Sequence, residues 1–457
     1  MSSSELALAT TRRQVIWRGD ARPRLGLMLP AADQIDFARA PSLWEQRWGG
    51  QLAECAKLGL AAAALPPFFP NAEQALQRLS NKARELGLLL AIPCKLEHLL
   101  NPNSVAALSR IASPHPGSFL LVPLSRNDDA RVLEERFHTV QGSKGARRTP
   151  IAFSDRDPLG AGSSSLIAYG SSTLFLDGIE LGSELPTQQL LASLLAGRPE
   201  THPGLCILRE PSATQLHLQA LAALGAGHAL VLTEAAWQEA TLAEPFSQPL
   251  RALQATLNEL PKELPPPIDA ALKVWLDAPG AQRNPGPESA AGAIELLHRA
   301  GFSADILHAQ ALDRRARSSA LWVPCSAPIS SETWTALWSL AYHGSSVMIT
   351  GFSFDELARE RMTRLFAGPG AGSAPIHEAP AWLQLRHGSG SFVFSKHQPE
   401  LAPETTASQA FVARFARWAE LPQSISEPNG MQRLLRLGPG LALHTRLEPA
   451  ELRVWRS

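Results

Sequence analysis

The chain has little tyrosine and little cysteine: two Tyr against eleven Trp, and four Cys in 457 residues. Cys55, Cys94, Cys206 and Cys325 lie far apart and no CxxC pair occurs, so a structural zinc site or a redox pair has no support. Buried free thiols are the plain expectation. Charge of one sign is also missing. Lys+Arg and Asp+Glu number 42 each, for a formal net charge of +0. The balance argues against a strongly basic nucleic-acid binder and leaves only a local basic patch open. The longest apolar run, near Leu58 to Phe69, is too short to cross a bilayer and carries two prolines. No membrane span is expected. The N-terminus, MSSSELALATTRRQVIW, lacks a charged head followed by an apolar stretch, so the expectation is a cytoplasmic protein. GxGxxG, GxxxxGK[ST] and HExxH are absent, and neither a nucleotide cofactor nor a metal is called for.

What is present is an alternation. Apolar runs that read as buried parallel strands precede amphipathic stretches. The runs are Arg24–Pro30, Leu60–Leu65, Leu88–Pro93, Phe119–Pro123, Pro150–Phe153, Thr173–Leu176, Leu205–Leu208 and Ala229–Leu232. Their starts are 23 to 36 residues apart, which leaves room for one helix and two loops each time. Gly59, Gly87 and Gly225 stand where left-handed caps would end helices. Eight βα units predict an α/β chain whose residues 1–259 form a (β/α)8 TIM-like barrel. A doubly wound open sheet is the alternative, because Ser154–Ser172 is rich in Gly and Ser and offers little helix.

Four prolines in Leu260–Ile268 (LPKELPPPI) then predict a stiff linker over 260–270. Beyond it the pattern restarts. Leu272–Leu276, Ala304–Leu307, Ala320–Pro324 and Ser346–Thr350 read as strands, and Glu288–Ala300 and Ser331–Tyr342 as helices. Their order predicts a flavodoxin-like α/β domain over 271–400. Leu383–Ser395 reads as a hairpin around Gly388-Ser389-Gly390. Residues 401–457 read as a helix, Glu404–Glu420, and a small antiparallel β unit.

Several segments carry a likeness. Trp44–Leu65 (WEQRWGGQLAECAKLGLAAAAL) is a Trp-led helix ending in Lys-x-Gly before the second strand. Ser318–Gly351 runs strand, Pro, helix, Gly, strand; RHGSGSFVFS is a glycine-turned hairpin; MQRLLRLGPGLALHTRLEPAELRVW reads as a terminal sandwich. With the order of the parts, they resemble the layout of family-42 β-galactosidases and related glycoside hydrolases. The likeness covers nearly the whole chain and is one of layout and spacing. It implies a saccharide ligand, cleavage of β-linked sugars, and a middle domain similar to a glutamine-amidotransferase fold without its chemistry, which assembles homo-oligomers. The family's acid/base is a Glu preceded by Asn at the end of strand four. Here that strand runs into Leu124-Ser125-Arg126-Asn127-Asp128-Asp129, with an Asn but no Glu. A catalytically degenerate relative is therefore the second reading. It would bind a saccharide or assemble with partner proteins, for instance in polysaccharide production.

Barrel enzymes carry their chemistry on the loops that follow the strands. Retaining glycoside hydrolysis needs two carboxyls about 5–5.5 Å apart. Glu210, in Leu208-Arg209-Glu210-Pro211, sits where the family's nucleophile would sit, and Asp128 is the best acid/base available after strand four. Each also reads as a charge on the first turn of a helix. Trp237 after strand eight offers an indole face to a sugar ring, or packs beneath the rim. His98, Arg126, Asn127 and Asp155 complete the candidate subsite; His98 reads equally as a satisfied surface histidine. Trp44 and Trp48, four apart on one helix, read as core. Trp334 and Trp338, also four apart, would pack internally or against a neighbouring subunit.

Overall fold

The computed structural model describes residues 8–11, 14–17, 25–27, 39–57, 60, 62–115, 117–123, 139, 151–155, 175–180, 204–208, 218, 220–224, 229–232, 252–264, 270–276, 287–308, 320–324, 329, 331–352, 375–379, 382–422, 431–447 and 450–456. It opens with a short antiparallel hairpin absent from the expectations above, β1 (Leu8–Thr11) and β2 (Gln14–Trp17). Eight parallel strands follow: β3 (Leu25–Leu27), β4 (Ala62–Ala64), β5 (Leu89–Pro93), β6 (Ser118–Pro123), β7 (Ile151–Asp155), β8 (Phe175–Glu180), β9 (Gly204–Leu208) and β10 (Ala229–Leu232). They close into a barrel in the order β10-β3-β4-β5-β6-β7-β8-β9. Every one overlaps an apolar run read from the sequence, and the ring rules out the open-sheet alternative.

The described helices outside the first half of the ring are α1 (Pro41–Lys57), α2 (Glu73–Glu85), α3 (Leu96–Leu100) and α4 (Pro102–Ala112). Asn101 caps α4, its side chain accepting from the Asn103 and Ser104 amides at 3.0 and 3.3 Å, with Pro102 at the first helical position. Gly87 ends α2 with φ +71°; Gly59 and Gly225 lie outside the described residues. Bidentate pairs lace the helices together: Arg78 on Glu45 at 2.8 and 2.7 Å, and Arg110 on Glu73 at 2.6 and 3.0 Å. Trp48 is fully buried, with Trp44 edge-on to it at 4.8 Å, so this pair belongs to the core as expected.

Successive strand residues point to opposite faces, and the buried residues divide accordingly. Ala63, Leu90, Ile92, Leu120, Val122 and Ile151 belong to one cluster with the helix residues Trp48, Leu76 and Leu108. The alternate residues Ala62, Ala64, Leu89, Ala91, Phe119 and Leu121 are equally buried but outside that cluster. The first row faces the helices and the second faces the lumen.

After the ring come β11 (Leu272–Leu276), α5 (Pro287–Arg299), β12 (Ala304–His308), β13 (Ala320–Pro324), α6 (Ser331–Tyr342), β14 (Ser346–Thr350), β15 (Pro375–Ala379), β16 (Trp382–His387) and β17 (Gly390–Ser395). They form one seven-stranded sheet, ordered β12-β11-β13-β14-β17-β16-β15. The first five strands run parallel; β16 and β15 extend the sheet as antiparallel ribbons. The hairpin read from the sequence thus supplies the fifth parallel strand. One face packs on α6 through Trp275, Leu321, Val347, Phe392 and Leu337. The other packs on α5 and on α7 (Thr406–Trp418) through Val274, Trp322, Ile294 and Phe415. Phe411 of α7 lies 5.3 Å from Trp382 and 6.3 Å from Trp322, so its aromatic face meets this sheet. Trp334 and Trp338 pack internally, against Phe394 at 6.2 Å and His387 at 4.1 Å. The chain ends in a three-stranded antiparallel sheet, β18 (Gln432–Gly438), β19 (Leu441–Leu447) and β20 (Ala450–Arg456).

Candidate active site

Because all eight ring strands are parallel, their carboxyl ends share one rim. Two rim positions carry described side chains. After β4 the chain keeps hydrogen-bonding along β5, with the Leu65 amide on the Ala91 carbonyl at 2.9 Å and the Phe68 amide on the Pro93 carbonyl at 2.8 Å. Pro66 and Pro67, which have no amide to donate, sit between them. This ladder places the buried Phe68 ring edge-on to His98 at 5.1 Å.

His98 lies in α3, just past the end of β5. Its Nδ1 accepts from the Lys95 amide at 3.2 Å, so in the neutral ring the proton is on Nε2. Nε2 stands 3.9 Å from a Glu97 carboxylate oxygen, too far for a hydrogen bond. Burial lowers the His98 pKa, Glu97 opposes the shift, and Lys95 adds to it. His98 is therefore a neutral imidazole that can donate from Nε2. The contact with Phe68 was not legible beforehand, because it joins the loop after β4 to α3, which are distant in sequence; the run Pro-Pro-Phe-Phe after the second strand was its only trace.

Cys94 ends the β5 segment and is sealed, its thiol pushed up to about 12 by burial. Cys55, inside α1, is pushed up to about 12 for the same reason. Neither is a nucleophile at neutral pH.

Asp155 is the last residue of β7 and Glu180 the last of β8, with Asp177 three residues before it. Phe153 pairs with Val122 and with Asp177, and Asp155 with Ile179. Glu180 pairs with Ile207. Residues Arg126, Asn127, Asp128, Glu210 and Trp237 lie outside the described residues. In the chain, Asp128 comes five residues after the end of β6, and Glu210 two after the end of β9. Those strands stand three places apart around the ring.

The architecture is that of a closed parallel (β/α) barrel followed by a doubly wound mixed sheet and a small antiparallel sheet, with its candidate site on the carboxyl rim of the barrel. Solved structures of glycoside hydrolases share it. An exo-β-1,4-mannosidase from Opitutaceae bacterium strain TAV5 aligns over 93% of this chain and 99% of its own, with a TM-score of 0.61 at 14% identity. A β-galactosidase from Bacillus circulans sp. alkalophilus aligns over 93% and 92%, with a TM-score of 0.62 at 9% identity. A GH42 β-galactosidase from G. stearothermophilus aligns over 95% and 93%, with a TM-score of 0.60 at 9% identity. At these identities the likeness is one of fold. No protein-family model matches the chain, and no curated protein sequence does. Among the described residues no helix is long and apolar enough to cross a membrane.

Proposed function

We propose that the chain is a glycoside hydrolase that cleaves β-linked sugars by a retaining mechanism at the carboxyl rim of its barrel. Glu210 acts as nucleophile and Asp128 as acid/base, with Trp237, Arg126, Asn127, His98 and Asp155 forming the sugar subsite. The observation that carries this reading is the closed ring, which brings the exits of β6 and β9 to a common rim. The neutral His98, with its Nε2 proton, suits a donor to a sugar hydroxyl. Glu180, the last residue of β8, is a second acid on the strand next to β9. It would serve as proton donor if Asp128 falls short of the leaving oxygen.

A specific observation supports another reading. The exit of strand four holds Asn127 but no Glu. On that reading the barrel binds saccharide without cutting it, as a cytoplasmic self-assembling protein or as the partner of other proteins.

Hydrolysis of chromogenic aryl β-glycosides by the native protein and by Glu210→Gln, Asp128→Asn and Glu180→Gln tests both. The first reading requires turnover that drops by at least about a thousandfold in Glu210→Gln, about 4 kcal/mol of barrier. No turnover, with saccharide still bound in calorimetry, establishes the second.

A further inference from the structure

Glu400 lies in the one-turn segment Pro399–Leu401 after β17 and is only 2% exposed. Its Oε1 accepts from Thr350 Oγ1 at 2.9 Å, and Thr350 Oγ1 accepts from Trp322 Nε1 at 3.0 Å. The donors therefore run one way, from indole to hydroxyl to carboxyl. Oε2 is buried and has no hydrogen-bond partner among the described residues. The main chain is held just as closely: a Cβ added to Gly292 of α5 would lie 1.9 Å from the Glu400 carbonyl oxygen. The turn is seated on α5, joins the sheet to α7, and exposes its neighbour Leu401 to solvent.

A buried carboxyl with one oxygen unserved is stable as the neutral acid and costly as the anion. The charged side chains described on the surrounding elements are otherwise engaged. On α5, Glu295 and Arg299 pair at 2.8 Å, and His298 is kept neutral by burial. On α7, Arg414 lies over the Trp382 ring at 4.6 Å and Arg417 donates to the Ala413 carbonyl at 3.3 Å. Strands β13 and β14 carry no charge, and on its own segment the neighbours are Lys396, His397 and Glu404. We propose that Glu400 is a proton-operated latch: as a neutral acid it seats the 399–401 turn between α5 and the sheet, and on ionising it lets the turn go.

Burial pushes the Glu400 carboxyl from its ordinary 4.5 up to about 7, and its hydrogen bonds pull part of the way back. The seated turn thus keeps a proton that the released turn gives up. Release is favoured as pH rises from 4.5 to about 7, and no further above that. Hydrogen exchange of the Leu401, Ala402 and Thr405 amides, which donate to Gln398, Pro399 and Ala402 carbonyls, reads the seat directly. After correction for intrinsic rates, protection should fall roughly tenfold per pH unit across that window. In Glu400→Gln, which cannot ionise, it should stay level. Matching profiles in the two proteins overturn the latch, as does protection that rises with pH. Should Glu400→Gln not fold, Thr350→Val serves instead. Loss of the hydroxyl donor should move the upper end of the window to higher pH, and an unmoved or lowered end is equally fatal.

Discussion

Arg433 Nη2 on β18 donates to Asp305 Oδ1 on β12 at 2.9 Å, with 3% and 8% of the two side chains exposed. The other Asp305 oxygen accepts the Ala270 amide at 3.1 Å. One carboxylate therefore joins the end of the proline-rich linker, an outer strand of the seven-stranded sheet and the terminal sheet. Removing one partner from such a buried pair strands the other charge. Arg433→Met should lower unfolding stability by about 3–5 kcal/mol in urea titration. Adding Asp305→Leu should recover much of that. The remainder, about 1–3 kcal/mol, is the Ala270 amide left without its acceptor.

Glycine replacement should have opposite signs at two positions. A Cβ on Gly390 would stand 2.2 Å from the Ser345 carbonyl oxygen and 2.3 Å from that of Ala341, at the end of α6. Both obstacles are backbone, so Gly390→Ala should cost more than about 2 kcal/mol. Gly50, inside α1, meets nothing within 4 Å. Gly50→Ala should stabilise by up to about 1 kcal/mol, because the helix no longer fixes a flexible residue. Thermal melts of the two variants check the pair.

Two buried groups should oppose one another in the dependence of stability on pH. His298 is pushed down to about 3, chiefly by burial and then by the Arg433 charge. The unfolded chain binds that proton more readily than the native one, so stability falls as pH drops from 6.5 towards 3. Glu400, with its raised pKa, loses stability as pH rises from 4.5 to about 7. Between 4.5 and 6.5 the two slopes cancel. Relative to the native protein, Glu400→Gln should therefore gain about 1.4 kcal/mol per pH unit over that interval. Chemical denaturation at four or five pH values measures the difference.

The ion pairs between the outer helices should matter far less. Arg78 and Arg110 are more than half exposed, although each grips its glutamate with two bonds. Glu45→Ala and Glu73→Ala should each cost no more than about 1 kcal/mol, and less in high salt. Melts at low and high ionic strength test this.

The ring strands were legible because parallel strands buried on both faces read as continuous apolar runs, as in FLLVP and ALVL. β15 was not, because PIHEA carries a His and a Glu and lies at the edge of its sheet. β1 and β2 are four residues each and only partly apolar. At the rim, carboxylates such as Asp155 and Glu180 could be named because they follow apolar runs, but strand register depends on partners far away in sequence. The Phe68–His98 contact and the burial of Glu400 arise from tertiary approach between segments distant in sequence and have no periodic signature.

The reading of the barrel rim is tested most directly by trapping its covalent intermediate. A 2-deoxy-2-fluoro β-glycoside with a good leaving group slows the second half of a retaining reaction and leaves the sugar on the nucleophile. Peptide mass spectrometry should then find one added sugar on the peptide containing Glu210, and none in Glu210→Gln. Turnover of ordinary glycosides with the label on another carboxylate, or with no label at all, contradicts the assignment.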